Sequence, residues 1–362
     1  MTRVERLHAV GVLRKGSAKS GFRYVRHDGR PLPQRELERI RALRLPPAWR
    51  DVAINPSARG RVQAVGLDAA GRWQYVYHPE HVRQRERTKY HRLLRFGAAL
   101  PRLRHALAHD LRARELSRER VLAAVVRILG CAFIRPGSEA YAAENGTYGL
   151  ATLRRKHVRV AGDTIHFDFT GKSGKRQQRS VRDRTVARVV RRLLELPGYE
   201  VFKYVDGTGA VVDIKRADIT AYIKEHMGDA FSAKDFRTWS GTLICACALA
   251  RAGGIGAERT KGAVRKAMVA AIKETAQQLG NTPAICRASY VSPCVLGAYE
   301  RGRVVEDYFE TVEELTQRQL RGLHGAERAL LALLEQHGMP RRSAGVRAPR
   351  SRTVMGPRRA AA

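Results

Sequence analysis

The chain has 362 residues, of which 68 are lysine or arginine and 34 are aspartate or glutamate, so its formal net charge is +34. So basic a surface attracts polyanions, and a polyanionic partner is expected. A hydrophobic content of 44% excludes a wholly disordered basic chain. At about 100–200 residues per domain, the length predicts two folded units.

Neither a membrane span nor a secretory signal is expected. The longest apolar stretch, residues 243–250, has eight residues, far short of the about 20 needed to cross a bilayer. The basic N-terminus lacks a sustained apolar segment and a small-residue cleavage site. The predicted location is therefore the cytoplasm, in association with the nucleoid if the source is bacterial, or the nucleus if it is eukaryotic.

Cofactor and metal motifs are incomplete in this sequence. The five cysteines, at positions 131, 245, 247, 286 and 294, form no CxxC pair, so we interpret them as small hydrophobic residues rather than metal ligands. Residues 170–173 end like a phosphate-binding loop, but His166 stands where that loop requires glycine. The sequence therefore predicts no metal and no nucleotide cofactor.

The first 90 residues alternate apolar and polar side chains over short stretches. Residues 22–25, 62–66 and 73–77 read as strands, and residues 34–43 as one helix. This pattern predicts a small antiparallel, β-rich N-terminal domain over residues 1–90. From residue 84 to about 125 the chain is strongly basic and helical in period, and we interpret it as the boundary and linker.

Beyond the boundary, helical periods predominate. An amphipathic stripe runs through Val186, Val189, Val190, Leu193 and Leu194. Further helices are predicted over residues 121–129, 236–250 and 264–279, the second opened by a capping box between Ser232 and Asp235. Residues 158–160 and 165–169 alternate about a turn and predict a β-hairpin.

The predicted fold class is thus α+β, with a mainly α-helical catalytic domain over residues 91–338. The last segment, residues 339–362, contains seven arginines, proline and glycine but no acidic residue, so a disordered basic tail is expected.

Five short motifs in the helical region each hold one polar side chain suited to chemistry. They are Phe133-Ile-Arg135-Pro-Gly, Phe169-Thr-Gly-Lys172-Ser-Gly, Lys234-Asp-Phe-Arg237-Thr-Trp, Leu279-Gly-Asn281-Thr-Pro and Arg287-Ala-Ser-Tyr290-Val-Ser-Pro. Taken singly, each has an ordinary structural explanation: a capping or surface arginine, a solvated loop lysine, an ion-pair partner or a core aromatic ring.

Together and in this order, the motifs resemble the type IB DNA topoisomerases, specifically the compact poxvirus-like group of viruses and bacteria. The resemblance extends over residues 20–310 and implies a topoisomerase IB or tyrosine recombinase-like fold. It also implies that Tyr290 is the nucleophile, that Arg135 and Arg237 are catalytic arginines, and that Lys172 lies on a hairpin turn as the general acid.

The chemistry of this family explains those residue types. A tyrosine phenol has a pKa near about 10 and needs help to attack a phosphodiester. Forked, permanently charged arginines match the nonbridging oxygens on which negative charge gathers. The resemblance implies a 3′-phosphotyrosyl intermediate whose religation uses neither ATP nor metal, with duplex DNA as the substrate.

One catalytic position departs from the viral pattern. Poxvirus members carry a histidine nine residues before the tyrosine, whereas this chain has Asn281. An amide donates a hydrogen bond but carries no charge.

The resemblance further implies DNA contacts by Arg72, Gln74, Tyr75, Tyr77, Tyr141 and Lys234. From the residues alone, the aromatic face of strand 73–77 could equally be core.

Two alternatives remain open from the sequence. A tyrosine recombinase performs the same transesterification, but such enzymes usually carry His-x-x-Arg where this chain has Lys234-Asp-Phe-Arg237. A noncatalytic architectural DNA-binding protein fits the composition alone. A monomer is expected, since one chain contains all five candidate catalytic residues.

Overall fold

A computed structural model of the chain describes residues 1–253, 260–317 and 321–337. Its internal contacts divide the chain into one unit over Met1–Lys89 and a second that begins at Tyr90. The boundary falls inside the helix Pro79–Asp110. Most of the stretch that we interpreted as a linker is therefore continuous helix. The tail predicted over residues 339–362 lies outside the described residues.

The first unit is a five-stranded antiparallel sheet with a helix on each face. Its elements are α1 (Arg3–Val10), β1 (Val12–Ser17), β2 (Gly21–Arg26), α2 (Gln34–Ala42), β3 (Arg50–Ile54), β4 (Val62–Leu67) and β5 (Trp73–Tyr77). The strand order is β2-β1-β3-β4-β5. Leu7 of α1 packs with Val65 on one face, and Ile40 of α2 packs with Ile54 on the other. The β-rich domain was predicted, but α1, β1 and β3 were not.

The second unit is mainly helical. It contains α3 (Pro79–Asp110) from Tyr90 onward, α4 (Arg118–Ala132), α5 (Glu139–Asn145), β6 (Val158–Ala161), β7 (Thr164–Thr170), β8 (Arg176–Arg182), α6 (Arg184–Glu195), β9 (Lys203–Val205), β10 (Val211–Asp213), α7 (Arg216–Met227), α8 (Ala233–Arg251), α9 (Lys261–Leu279), α10 (Pro283–Ser289), α11 (Pro293–Glu300), α12 (Val312–Gln317) and α13 (Gly325–His337). The α+β class is confirmed.

Helices α4 and α8 form the centre of this unit's core. Nearly every residue of α8 from Phe236 to Ala250 is buried, and so is most of α4. The predicted stripe of α6 faces the same core, with Leu194 half-buried at its edge. The predicted hairpin is β6 and β7, and β8 adds a third antiparallel strand beside β7. The site described below is built where α4 and α9 end and α8 begins, near this sheet.

The cysteines and the hydropathy of the helices can be described from the structure. Cys245, Cys247 and Cys286 are buried and free, and burial raises the pKa of the Cys245 thiol to about 12, as suits a small core residue. Across the described ranges, no helix combines the length and the hydropathy needed to cross a membrane.

Candidate active site

Arg237 lies one turn inside α8 and is almost fully buried, with 3% of its surface exposed. The helix begins where predicted, because the Asp235 carboxylate accepts hydrogen bonds from the backbone N–H and the hydroxyl of Ser232, at 2.8 and 2.9 Å. The guanidinium of Arg237 donates through Nη1 to the carbonyl of Phe133 and through Nη2 to the carbonyl of Leu279, the latter at 2.7 Å. One side chain thus joins α8 to the ends of α4 and α9.

The positive charge of Arg237 is directed at Tyr290. Its guanidinium carbon lies 5.1 Å from the centre of the Tyr290 ring, within the range of a cation–π contact. Burial, and next the nearby charge of Arg135, lower the pKa of Arg237 to about 10. The group therefore stays cationic at neutral pH while it is largely removed from water.

Arg135 and Asn281 pair directly. Nη2 of Arg135 donates to Oδ1 of Asn281 at 2.7 Å, across 146 residues of sequence. Asn281 follows the left-handed Gly280 that ends α9, and its backbone N–H donates back to Ala276. Because arginine is only a donor, the amide oxygen must face it. The amide nitrogen, Nδ2, is then left as a donor toward the site.

Two buried donors at this site have no hydrogen-bond partner within the described part of the chain: Nε of Arg237 and Nδ2 of Asn281. Leaving a buried donor unpaired costs free energy, so two unpaired donors at one site call for an explanation. An anionic oxygen bound between them would satisfy both.

Tyr290 is half-buried at the C-terminal end of α10. The hydroxyl of Thr242 on α8 donates to its backbone carbonyl at 3.1 Å. Burial by itself raises the pKa of the phenol, but the positive charges of Arg237, Arg135 and Lys234 outweigh it, so the pKa lies below the ordinary tyrosine value. A lowered pKa makes the phenolate, the nucleophilic form, easier to reach.

Lys172 is exposed on the turn between β7 and β8. The side chain of Gln177 on β8 lies close to both this turn and the end of α9: a Cβ atom at Gly171 would lie 2.8 Å from its Cγ, and one at Gly280 would lie 2.6 Å from its Oε1. Arg179 of β8 also donates to the carbonyl of Gln278 at 2.9 Å. The turn that carries Lys172 therefore adjoins the end of α9.

Residues 148–150 connect this turn to Arg135. The N–H of Leu150 donates to the carbonyl of Arg135 at 2.9 Å, and the N–H of Tyr148 donates to the carbonyl of Thr170 at 2.8 Å. Position 149 has no room for a side chain, because a Cβ atom there would lie 2.5 Å from Cα of Gly137. The backbone thus places Lys172 and Arg135 at either end of one short segment.

The structure brings together Arg135, Arg237, Asn281 and Tyr290. Arg135 donates to Asn281, the guanidinium of Arg237 faces the Tyr290 ring, and the charges of both arginines act on Tyr290. Lys172 lies on the adjoining turn. Lys234 is exposed on α8, close enough that its charge acts on Tyr290. Tyr141, on α5, is 62% exposed and is not linked to these residues by a described contact.

The first unit presents a separate aromatic patch on β5. Trp73 and Tyr75 are 37% and 38% exposed, so this part of the face is not core, and Tyr75 stacks on Tyr77 with ring centres 6.2 Å apart. Arg72 and Gln74 both donate to the Asp68 carboxylate, at 3.0 and 2.8 Å. Hydrogen bonds, first from the backbone N–H of Arg72, lower the pKa of Asp68 to about 2, so it is anionic at neutral pH.

Sequence reasoning missed three residues that build the site: Gln177, Arg179 and Thr242. Each lies near a backbone atom or a glycine far away in sequence, so the residue type alone gave no indication of its role. The only signal was indirect: Thr242 follows Gly241 five residues after Arg237 and directly precedes the apolar run that begins at Leu243.

Comparisons with known proteins identify relatives of this chain. Residues 79–296 match the family model described as eukaryotic DNA topoisomerase I, catalytic core, and residues 21–68 match the bacterial DNA topoisomerase IB, N-terminal domain. The chain is 31% identical to DNA topoisomerase 1B of Acanthamoeba polyphaga mimivirus over 80% of its own length and 88% of the relative. It is 24% identical to DNA topoisomerase I of Monkeypox virus, over 72% of this chain and 80% of that one.

Proposed function

The chain belongs to the type IB DNA topoisomerases of the viral and bacterial group, enzymes that relax supercoiled duplex DNA through a transient 3′-phosphotyrosyl nick, and we propose that five of its side chains carry that reaction. They are Arg135, Lys172, Arg237, Asn281 and Tyr290. The observation that carries the assignment is the pair of orphaned donors on Arg237 and Asn281 beside a tyrosine whose pKa is lowered.

In this proposal the scissile phosphate binds where the two orphaned donors converge. Nε of Arg237 and Nδ2 of Asn281 donate to its nonbridging oxygens, and the positive charge of Arg135 adds to that of Arg237. Donors that are already fixed need no rearrangement as negative charge develops in the transition state. Arg237 is fixed by the carbonyls of Phe133 and Leu279, so its position does not depend on the substrate.

Tyr290 attacks phosphorus through its phenolic oxygen, forms the phosphotyrosyl bond and breaks the bond to the 5′ oxygen. The proton leaves the phenol more readily because Arg237, Arg135 and Lys234 stabilise the phenolate. The released 5′ oxygen takes a proton from a general acid, the role we assign to Lys172. Reversal of the same steps reseals the strand after rotation.

Duplex DNA is the partner of this family, and we assign its contacts to two surfaces. In the second unit they are Lys234 and Tyr141, and in the first unit Arg72, Gln74, Tyr75 and Tyr77. The exposure of Tyr75 on β5 supports the latter, whereas Tyr77 beside it is half-buried against the core. For Arg72 and Gln74, DNA phosphates must compete with the Asp68 carboxylate that holds both in the structure.

The domain roles are part of the proposal. We assign DNA clamping to residues 1–90, catalysis to residues 91–338 with the fold shared by tyrosine recombinases, and added nonspecific affinity to the basic residues 339–362. We further propose that the enzyme acts as a monomer, since one chain holds every catalytic group, and that it works in the bacterial cytoplasm on the nucleoid.

The test is plasmid relaxation in EDTA without ATP, together with isolation of the denaturation-resistant protein–DNA adduct. Tyr290→Phe is expected to abolish both while DNA binding is largely retained. Tyr199→Phe is the matched control, because Tyr199 is 80% exposed and outside the site. An adduct that survives in Tyr290→Phe would show that another residue is the nucleophile. Strand exchange between matched sites would favour recombination instead.

A further inference from the structure

The second unit contains a basic concavity that shares no residue with the site above. Its volume is about 680 Å³, and it lies between the α3–α4 connection, α4 and α6. No carboxylate or aromatic side chain lines it, whereas six arginines do: Arg112, Arg114, Arg120, Arg127, Arg188 and Arg192. We call this feature the arginine pocket.

Two of the arginines stand one helical turn apart on α6. Arg188 and Arg192 are both exposed, on the side of the helix opposite its buried valines. Like charges at this spacing repel and destabilise a helix. In the described part of the chain, neither guanidinium forms an ion pair. An anion bound in front of them would relieve the repulsion.

The carbonyl of Arg114 holds two guanidinium groups of the pocket, those of Arg120 and Arg192, at one point. Nη1 of Arg120 donates to it at 2.6 Å, and Nη1 of Arg192 donates to it at 2.5 Å. Burial, then the charges of Arg192 and Arg188, lower the pKa of Arg120. Its Nε atom is buried and has no partner in the described residues. These side chains are therefore held together against their mutual repulsion.

The carboxylate that contacts Arg127 of the pocket is already occupied. Asp183 accepts from Nε of Arg127 at 3.0 Å and from the backbone N–H groups of Thr185 and Val186, which begin α6. It cannot turn to the other arginines without uncapping that helix. The pocket thus keeps several positive charges uncompensated.

We propose that the arginine pocket binds a compact polyanion that carries several adjacent phosphate groups, such as a short inorganic polyphosphate. Arginine forks match phosphate oxygens in geometry and charge. A duplex is convex and presents its phosphates to an extended surface, whereas these side chains converge into a hollow. The absence of an aromatic residue from the lining leaves no surface on which a nucleobase would stack.

The experiment measures the Kd of the full chain for tripolyphosphate by calorimetry. The double variant R188Q/R192Q is expected to raise the Kd by about tenfold or more, equivalent to about 1.4 kcal/mol. The control is R184Q/R216Q, which removes the same charge from exposed residues of α6 and α7 outside the pocket. It is expected to leave the Kd within about twofold, since only the general field changes.

Circular dichroism and thermal unfolding verify that each variant folds. A second pocket variant, R112Q/R114Q in the α3–α4 connection, gives an independent measurement of the change in Kd for tripolyphosphate. Equal weakening in the pocket and control variants would overturn the proposal, since the binding would then be general attraction to a basic surface. A second outcome would also overturn the proposal: R188Q/R192Q keeps its affinity for tripolyphosphate but no longer binds a second DNA duplex. The occupant of the pocket would then be DNA.

Discussion

Gly241 on α8 lies directly against the backbone of Tyr290. A Cβ atom at position 241 would be 3.0 Å from the carbonyl oxygen of Tyr290 and 3.1 Å from its Cβ. The next residue, Thr242, holds the same carbonyl by a hydrogen bond of 3.1 Å. The helix that carries Arg237 therefore also sets the position of the tyrosine.

Gly241→Ala is expected to slow cleavage while the protein stays folded. The added methyl group displaces the Tyr290 backbone by a few tenths of an ångström, and misplacement of a reacting group by about 1 Å costs about 10²-fold. We expect a loss of about 10-fold in the single-turnover rate of adduct formation. In the control Gly262→Ala on α9, the nearest atom is the Thr260 hydroxyl oxygen at 3.7 Å, and no loss is expected. Equal rates in the two variants would refute the positioning role.

Lys234→Gln is expected to move the pH profile of cleavage to higher pH. Lys234 is one of the cations that lower the pKa of Tyr290 against the effect of burial. Without it the phenol keeps its proton to a higher pH, so the rising limb of the rate profile shifts upward. The measurement is single-turnover cleavage at saturating DNA across pH. Lys224→Gln, on α7, is the control, and an unchanged profile in Lys234→Gln would contradict the assignment.

Asn281→Ala is expected to cost less activity than loss of either arginine. Removing one donor to a developing oxyanion costs about 10²–10³-fold, the range expected for Arg135→Ala, and a neutral donor is about half as strong as a charged one. Single-turnover cleavage rates give the comparison. Asn145→Ala, at an exposed position on α5, should match the unsubstituted protein. Equal losses for Asn281→Ala and Arg135→Ala would exclude a neutral donor role.

Glu327→Ala is expected to destabilise the second unit. This carboxylate on α13 is 1% exposed and accepts two hydrogen bonds of 2.8 Å from Arg104 and one of 3.1 Å from the indole of Trp239. Breaking a buried pair by removing one partner costs about 3–5 kcal/mol, measurable by urea unfolding. Glu335→Ala, exposed on the same helix, should change the unfolding free energy by less than about 0.5 kcal/mol.

The same carboxylate gives a pH dependence of known sign. Burial raises the pKa of Glu327, but the hydrogen bonds and charge of Arg104 outweigh it, so the pKa in the folded state is lowered. Its stabilising contribution is therefore complete above the unfolded value of about 4.3 and is lost as the pH falls through the folded value. The difference in unfolding free energy between the unsubstituted protein and Glu327→Gln should shrink in acid. A difference that grows as the pH falls would contradict this account.

Elements with strong local patterns were predictable. The valine stripe of α6, the capping box that opens α8 and the alternation of β7 lie in contiguous residues, and the structure has each where it was expected. Strand β3 was missed because it is short and buried only in its second half. The stretch after residue 84 was expected to be helical in period, and the structure shows that its helix is continuous with residues from Pro79 onward.

The sequence by itself determined the attraction to polyanions, the α+β class and, through the order of five motifs, the family. Those properties depend on residue type and on neighbours along the chain. Only the tertiary structure decided which atoms meet: Arg135 with Asn281 across 146 residues, and Arg237 with the carbonyls of Phe133 and Leu279. A backbone carbonyl accepts from any donor and imposes no residue type, so such contacts leave no trace in the sequence. The tertiary structure also decided the arginine pocket, since its charges come together only when α4 and α6 pack against each other.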